Sequence, residues 1–268
     1  MGLPQELIDH IMDMLRDDIP TLKVCSMTCQ SMFASARHLI HRTLHLSFQN
    51  ALTTFPIEDD LRYQRPLFKN ERLLYLSYMD EHGLLQYARQ VHIIALGILT
   101  PEAFLPYHHH LKSLDRVHTL TIDRLDASAW AFPDIKTCFT HFYSTLTSLK
   151  LCGPFRHYRL LVRFVTQFPN LQDLCLEWMI MEWHVISDTT DHFAVDRPPP
   201  FRGHLRLVGR DTAVPWLAIF VRDVPNVMNF RSVELRDFFW DYGQHLLDPC
   251  SRTFEHLTVG PHLTDGTR

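Results

Sequence analysis

The sequence predicts a mixed α/β chain in which three short helices precede an irregular solenoid of parallel strands. The helices are predicted by helical apolar periodicity over residues 3–46. The solenoid is predicted by a six-residue motif, apolar-x-x-apolar-x-apolar, that returns along residues 117–259, and by helical patterns between its copies.

The first helix opens at Leu3-Pro4-Gln5-Glu6-Leu7-Ile8, with Pro4 where a first turn tolerates a missing N–H. With about 100° per residue, Leu3, Leu7, Ile8, Ile11, Met12, Met14 and Leu15 share one half of the wheel. Gln5, Glu6, Asp9, His10, Asp13 and Arg16 fill the other half. Asp17-Asp18 before Pro20 stop this helix and start the next, where acidic groups are favourable. The second run, Thr21–Cys29, carries Leu22, Val24, Cys25, Met27 and Cys29. The third starts near Ser31 and aligns Met32, Phe33, Ala36, Leu39 and Ile40, after which Thr43–Ser47 alternates like a strand. This apolar arc is wider than one small core needs, and surplus apolar area on a small helical unit marks a docking surface.

Residues 49–66 read as a loop, Glu71–Tyr78 as a helix that Glu81–Tyr87 continue, and Val91-His92-Ile93 as a strand-like run. The repeats follow: Val117–Ile122, Leu146–Leu151, Leu171–Leu176, Phe230–Val233–Leu235 and Phe254–Val259, with Gly203–Leu207 a shortened version. Taking Leu205 as the member between Leu174 and Val233 makes every interval 24 to 31 residues, and Val91 to Leu120 is another 29. Helical patterns at Asp134–Ser144, Tyr158–Phe168 and Ala213–Val224 lie between the strands. Each strand–helix unit buries its apolar face by stacking on its neighbours, as in leucine-rich repeats, but without their Asn or Cys ladder residue. The other reading is an α/β sandwich of unrelated strands, which antiparallel pairing would establish. A polar stretch over 181–203 with Pro198-Pro199-Pro200 reads as a long loop. The last strand, ending at Val259, has no helix after it, leaving apolar surface and a strand edge uncovered.

Composition bounds the function. The net charge of −4 and scattered Lys and Arg give no general attraction to nucleic acid or an anionic membrane. No apolar run approaches the roughly 20 residues needed to span a bilayer, and Glu6 and Asp9 stand where a signal peptide would be basic. Six Cys without framework spacing suit reduced thiols in cytosol or nucleus.

Catalytic signatures are missing: no Gly-x-Ser-x-Gly, no His-Glu-x-x-His, and too few Gly for a phosphate-cradling loop. No catalytic residue, cofactor or metal is therefore expected. Cys25-x3-Cys29-x8-His38-x2-His41 departs from zinc-finger spacing, and both thiols fall on the apolar face. His108-His109-His110 reads as a solvated loop, because consecutive side chains diverge. Among aromatics near strand ends, Trp178 and Phe238 read as core, while Trp183 and Trp240 are the candidate anchors for a protein partner.

The ordered run Leu3-Pro4-x-Glu6-Leu7-Ile8-x-x-Ile11-x-x-x-Leu15, then Pro20-Thr21-Leu22-x-x-Cys25-Ser26-x-x-Cys29-Gln30-Ser31, then Arg37-His38-Leu39-Ile40, resembles an F-box. It is most similar to the F-box-like proteins expanded in mushroom-forming (basidiomycete) fungi. It departs from the pattern at Met32, where an aromatic is usual and Phe33 is adjacent, and at Thr28, where Val is usual. The resemblance implies a three-helix F-box over 1–46, a helical linker with a first irregular repeat over 47–115, and a degenerate leucine-rich-repeat-like region over 116–268. Members of that family are longer, which implies a shortened form. The implied function is that of a substrate receptor in a cullin-based SCF-type ubiquitin ligase. A Skp-type adaptor, and through it a cullin, would dock on Leu3, Pro4, Leu7, Ile8, Ile11, Leu15, Val24, Met27 and Met32. The repeats would hold an unknown target protein. The alternative is a repeat-based interaction scaffold unconnected to ubiquitin, its helices only capping the solenoid.

Overall fold

The computed structural model describes residues 3–49, 69–96, 107–123, 140–154, 164–165, 167–180, 203–209, 230–236 and 255–260. Three helices open it: α1 (Gln5–Met14), α2 (Ile19–Ser26) and α3 (Gln30–Ile40). Pro4 stands just before α1, and its carbonyl accepts from the Leu7 and Ile8 N–H groups at 3.1 and 3.3 Å. Asp18 caps α2: its carboxylate accepts from the Thr21 N–H at 3.1 Å and the Thr21 hydroxyl at 2.7 Å. The second helix therefore begins at Ile19, earlier than Thr21. It also ends at Ser26, short of Cys29, which is extended and stands just before α3. Ile8, Met12, Leu22 and Ala36 form the buried centre of this unit, with Leu15, Ile19, Cys25, Met32, Leu39 and Ile40 packed around them.

Eight strands follow: β1 (Thr43–Gln49), β2 (Gln90–Leu96), β3 (Thr119–Asp123), β4 (Ser148–Pro154), β5 (Asp173–Ile180), β6 (His204–Val208), β7 (Ser232–Arg236) and β8 (His256–Val259). They form one sheet in chain order, and every pair is parallel. Parallel order in sequence is what the repeat reading requires, and it removes the sandwich. The sheet starts at Thr43, and β1 pairs with β2 and β2 with β3, so β1 and β2 belong to the same stack as the later strands.

The register matches the sequence periodicity. Leu44, Val91, Leu120, Leu149, Leu174, Leu205, Val233 and Leu257 are successive partners along one rung, so the shortened copy at Leu205 is a full member of the series. Two residues on, Leu46, Ile93, Ile122, Leu151, Leu176, Leu207, Leu235 and Val259 form the next apolar rung. The motif's first position (Val117, Leu146, Leu171, Phe230) is buried too, but it lies in the turn before the strand, so each strand starts two residues later than the motif. At these entries a carbonyl commonly accepts from two successive N–H groups of the next unit. Arg89 and Gln90 donate to Arg42, and Thr147 and Ser148 to His118. The same backbone contact repeats because each unit presents the same carbonyl to the next.

Between β1 and β2, α4 (Lys69–Glu81) ends in a left-handed Gly83 (φ 63°), and the reading of one helix continuing to Tyr87 is corrected here. The Gly83 N–H donates to the Asp80 carbonyl at 2.9 Å and the Leu84 N–H to the Met79 carbonyl at 2.7 Å. This is a Schellman ending, sealed by buried Met79 and Leu84. A separate 3-10 turn, Leu85–Tyr87, leads into β2. Residues 107–111 are helical, which corrects the loop reading of the His run. His110 is half-buried there, with Nδ1 3.0 Å from the Asp80 carboxylate and Nε2 3.2 Å from the Ser77 hydroxyl. Burial raises the Asp80 carboxyl, but hydrogen bonds from His110 and Ser113 outweigh it and hold the group below the ordinary range. Phe164, Val165 and Phe168 are buried as their periodicity predicts. Of the predicted Asp134–Ser144 helix the described part is a 3-10 turn, Thr140–Phe142, and no α-helix, while the readings at 50–66, 134–139, 158–163, 181–202 and 213–224 lie outside the described residues.

Candidate functional site

Two surfaces are assembled by this fold. The first is on the helical unit. Its α1 carries two apolar stripes, not one broad face. Ile8, Met12 and Leu15, spaced i, i+4, i+7, turn into the three-helix core, whereas Leu7, Ile11 and Met14, with the same spacing, stand exposed. Both stripes obey helical periodicity, and about 100° separates them. Leu3, Val24, Met27 and Phe33 are exposed as well, Met27 at 78% and Met14 at 76% of their full areas. Exposed apolar side chains occur singly on any protein, but seven on a unit this small is a concentration.

Of the nine residues expected at an adaptor surface, Leu3, Pro4, Leu7, Ile11, Val24 and Met27 are exposed. Ile8 is not: it is 5% exposed and sits in the core, a correction that follows from its position one residue, about 100°, round from Leu7. Leu15 and Met32 are half-buried against the same core, Met32 with its sulfur accepting from the Thr28 hydroxyl at 3.1 Å. Met14 and Phe33 were not in that set. Met14 was legible from the wheel, where it falls beside Leu7.

The unit is tied to the sheet through α3. The Arg37 guanidinium donates to the His82 carbonyl at 3.1 Å and lies 5.7 Å from the Phe33 ring centre and 5.8 Å from that of Tyr87. His38 meets the Tyr87 ring edge-on at 5.8 Å. A polar clamp joins α1 to α3, with Asp9 accepting from the Ser35 hydroxyl at 2.5 Å and the Gln5 amide at 2.8 Å. Cys25 packs against the core, and Cys29 lies beside the Ser31 hydroxyl at 3.2 Å. Among the described residues no three His, Cys, Asp or Glu side chains converge as metal ligands, and no helix is long and apolar enough to cross a membrane.

The second surface is the polar face of the sheet. One rung reads His45, His92, Thr121, Lys150, Cys175, Arg206, Glu234, Thr258 from β1 to β8, and the next carries Asp123, Cys152, Glu177, Val208 and Arg236. Lys150 pairs with Glu177 across β4–β5, while Arg206 and Arg236 both reach Glu234 at 2.5 Å. Glu234 is held below its ordinary value because these two donors outweigh burial. Burial pushes the Cys152 thiol up to about 12 and raises Cys175, so both stay protonated and chemically quiet near neutral pH. His45 and His92 pack ring to ring at 5.4 Å, and burial lowers both, with the neighbouring His45 adding to the shift at His92.

At the end of this face the backbone is unusual. Cys152 pairs with Glu177 and Pro154 with Ile180, so β5 spends one residue more than β4 between these pairs. The bulge places Trp178 at φ 51°, between Gly153 (φ 103°) in β4 and Gly209 (φ 108°) just after β6. A Cβ on Gly209 would sit 3.0 Å from Trp178 Cε3, so only glycine lets the indole lie there. Trp178 is 55% exposed, which corrects its reading as a core residue. A left-handed turn points the side chain away from the side an unbulged strand would give it. Trp183, Trp240 and Phe238 lie outside the described residues. The polar rungs were not singled out from sequence, although the first occupies the motif's x position before its last apolar residue and the second the residue just after the motif.

No protein-family model matches the chain, and no curated protein does. Among solved structures, a Bacteroides fragilis protein determined by the Northeast Structural Genomics Consortium is similar at a TM-score of 0.32 and 11% identity, over 70% of this chain and 69% of that one. Likeness of that degree bears on neither the fold nor the function of this chain. The fold stated here rests on the register of its own eight strands.

Proposed function

We propose that this chain is a non-enzymatic substrate receptor: α1–α3 form an F-box that docks a Skp-type adaptor of a cullin-based ubiquitin ligase, and the leucine-rich-repeat-like sheet holds a target protein. Such a subunit works by raising effective concentration between target and ligase, with no chemistry of its own. The observation that carries the reading is the second stripe of α1. Leu7, Ile11 and Met14 serve neither the helical core nor the sheet, yet they keep the spacing of a packed face. With Leu3, Val24, Met27 and Phe33 they suit an apolar partner surface.

If the helices merely capped the solenoid, their surplus apolar area would be spent against the sheet. Among the described residues, Arg37 and His38 on α3, a cation and a ring, reach His82 and Tyr87 on the sheet side. The test is co-purification with the adaptor of wild type and of Leu7→Asp plus Ile11→Asp. Wild type is expected to retain the adaptor and the double variant to lose it while keeping its circular dichroism. Folded wild type that captures no adaptor sinks the reading and leaves the scaffold alternative.

A further inference from the structure

On β6 and β7 the polar face carries two cations to one carboxylate. Arg206 donates from Nε to Glu234 Oε2 and Arg236 from Nε to Glu234 Oε1, each at 2.5 Å. The exposure of the partners is unequal. The Glu234 side chain is 18% exposed, whereas those of Arg206 and Arg236 are 53% and 57% exposed. Two strands away the same asymmetry recurs, with Lys150 at 41% over Glu177 at 23%. The carboxylates lie low against the sheet, and the cationic groups stand above them. Asp173 is acidic too, but it lies a rung back, at the strand entrance, opposite His204.

Trp178 follows Glu177, whose register partner Val208 is in turn the partner of Arg236. The tryptophan is exposed, held in a left-handed conformation that is strained for a non-glycine residue, and seated on Gly209, whose N–H donates to the Arg236 carbonyl at 3.2 Å. Arginine and tryptophan are the residues that dominate protein interfaces, and a guanidinium offers planar, paired donors to a carboxylate.

From this we infer that the Arg206–Arg236 pair with Trp178 is the docking point for an acidic peptide segment of a partner protein, its carboxylates taken by the two guanidiniums. This rests on the receptor reading only in calling that partner the target. The chain's net charge of −4 repels an anionic ligand at long range, so binding must come from local geometry. Glu234 then acts as an internal competitor that holds both arginines in place between encounters.

The test is fluorescence anisotropy of a fluorescein-labelled octaglutamate peptide titrated with the full chain, with octalysine and an eight-nucleotide thymidine strand as comparators. Saturable binding of octaglutamate alone is expected. Arg206→Gln plus Arg236→Gln should weaken it about tenfold or more, and Glu234→Gln should tighten it by freeing the guanidiniums. Trp178→Gly, which suits the left-handed backbone and so preserves the fold, should weaken it severalfold. Arg16→Gln, whose partner is Asp13 on the helical unit, should leave it unchanged. No saturable binding, equal binding of the oligonucleotide, or an equal loss in Arg16→Gln overturns the inference. Adaptor capture is read on the same preparations. Adaptor binding without peptide binding overturns this inference alone, and peptide binding without adaptor binding overturns the receptor reading alone.

Discussion

Single residues on α1 separate what folds the helical unit from what it offers to a partner. Met12 is 1% exposed and Leu7 is 50% exposed, although both are large, apolar and on the same half of the wheel. Truncating a buried methionine removes transfer energy and leaves a cavity, about 2–5 kcal/mol together. Truncating an exposed leucine removes little, within roughly 0.5 kcal/mol. Met12→Ala is therefore expected to lower the urea midpoint of the chain clearly and Leu7→Ala hardly at all. Equal losses would mean that the outward stripe is packed. For adaptor capture the order should invert, with Leu7→Ala the more damaging change in protein that remains folded.

At the scale of elements, the β1–β2 pair makes a prediction about pH. His45 and His92 are register partners, and both are held below the ordinary 6.5, chiefly by burial. Between the lowered folded value and 6.5 the unfolded chain takes up a proton that the folded chain refuses. Stability from this source is complete above about 6.5 and falls as pH drops through that window. His38 and His41 on and beside α3 are lowered by burial and by neighbouring basic groups, and they add to the same slope. Unfolding free energy from denaturant titrations should rise as pH climbs toward about 6.5, and His92→Gln should flatten that rise. A slope unchanged by the substitution would place its origin elsewhere.

On the scale of the whole molecule, the sheet is a one-dimensional stack whose interior rungs are covered and whose last rung is not. Leu205 and Leu207 are each 1% exposed, while their counterparts on β8, Leu257 and Val259, are 41% and 51% exposed. In a stack of this kind each unit is stabilised by its neighbours, so damage in the middle is felt on both sides. Leu205→Ala should cost about 2–5 kcal/mol, and Leu257→Ala less than about 1 kcal/mol, as measured by thermal or denaturant unfolding. The exposed edge of β8 is also a template for pairing with another chain.

Much of this was legible in the sequence. Helical spacing in Leu3–Leu46 and the recurring six-residue motif determined three helices, parallel strands in chain order, and even the membership of Leu205, because local periodicity follows from which face each residue must bury. What periodicity does not hold is a distance. The wheel could not divide α1 into inward and outward stripes, since both have the same spacing and only the position of α3 decides which one is covered. The motif could not show that Arg206 and Arg236 meet on Glu234, because register brings Arg206 there across 28 residues and Arg236 lies just past the motif. Nor could a strand-like run show that a bulge turns Trp178 outward, a choice made by the glycines on either side of it. The sequence by itself determined the three opening helices and the order of the parallel strands. Tertiary structure alone decided which side chains were left over for a partner, because exposure depends on neighbours that are remote in the chain.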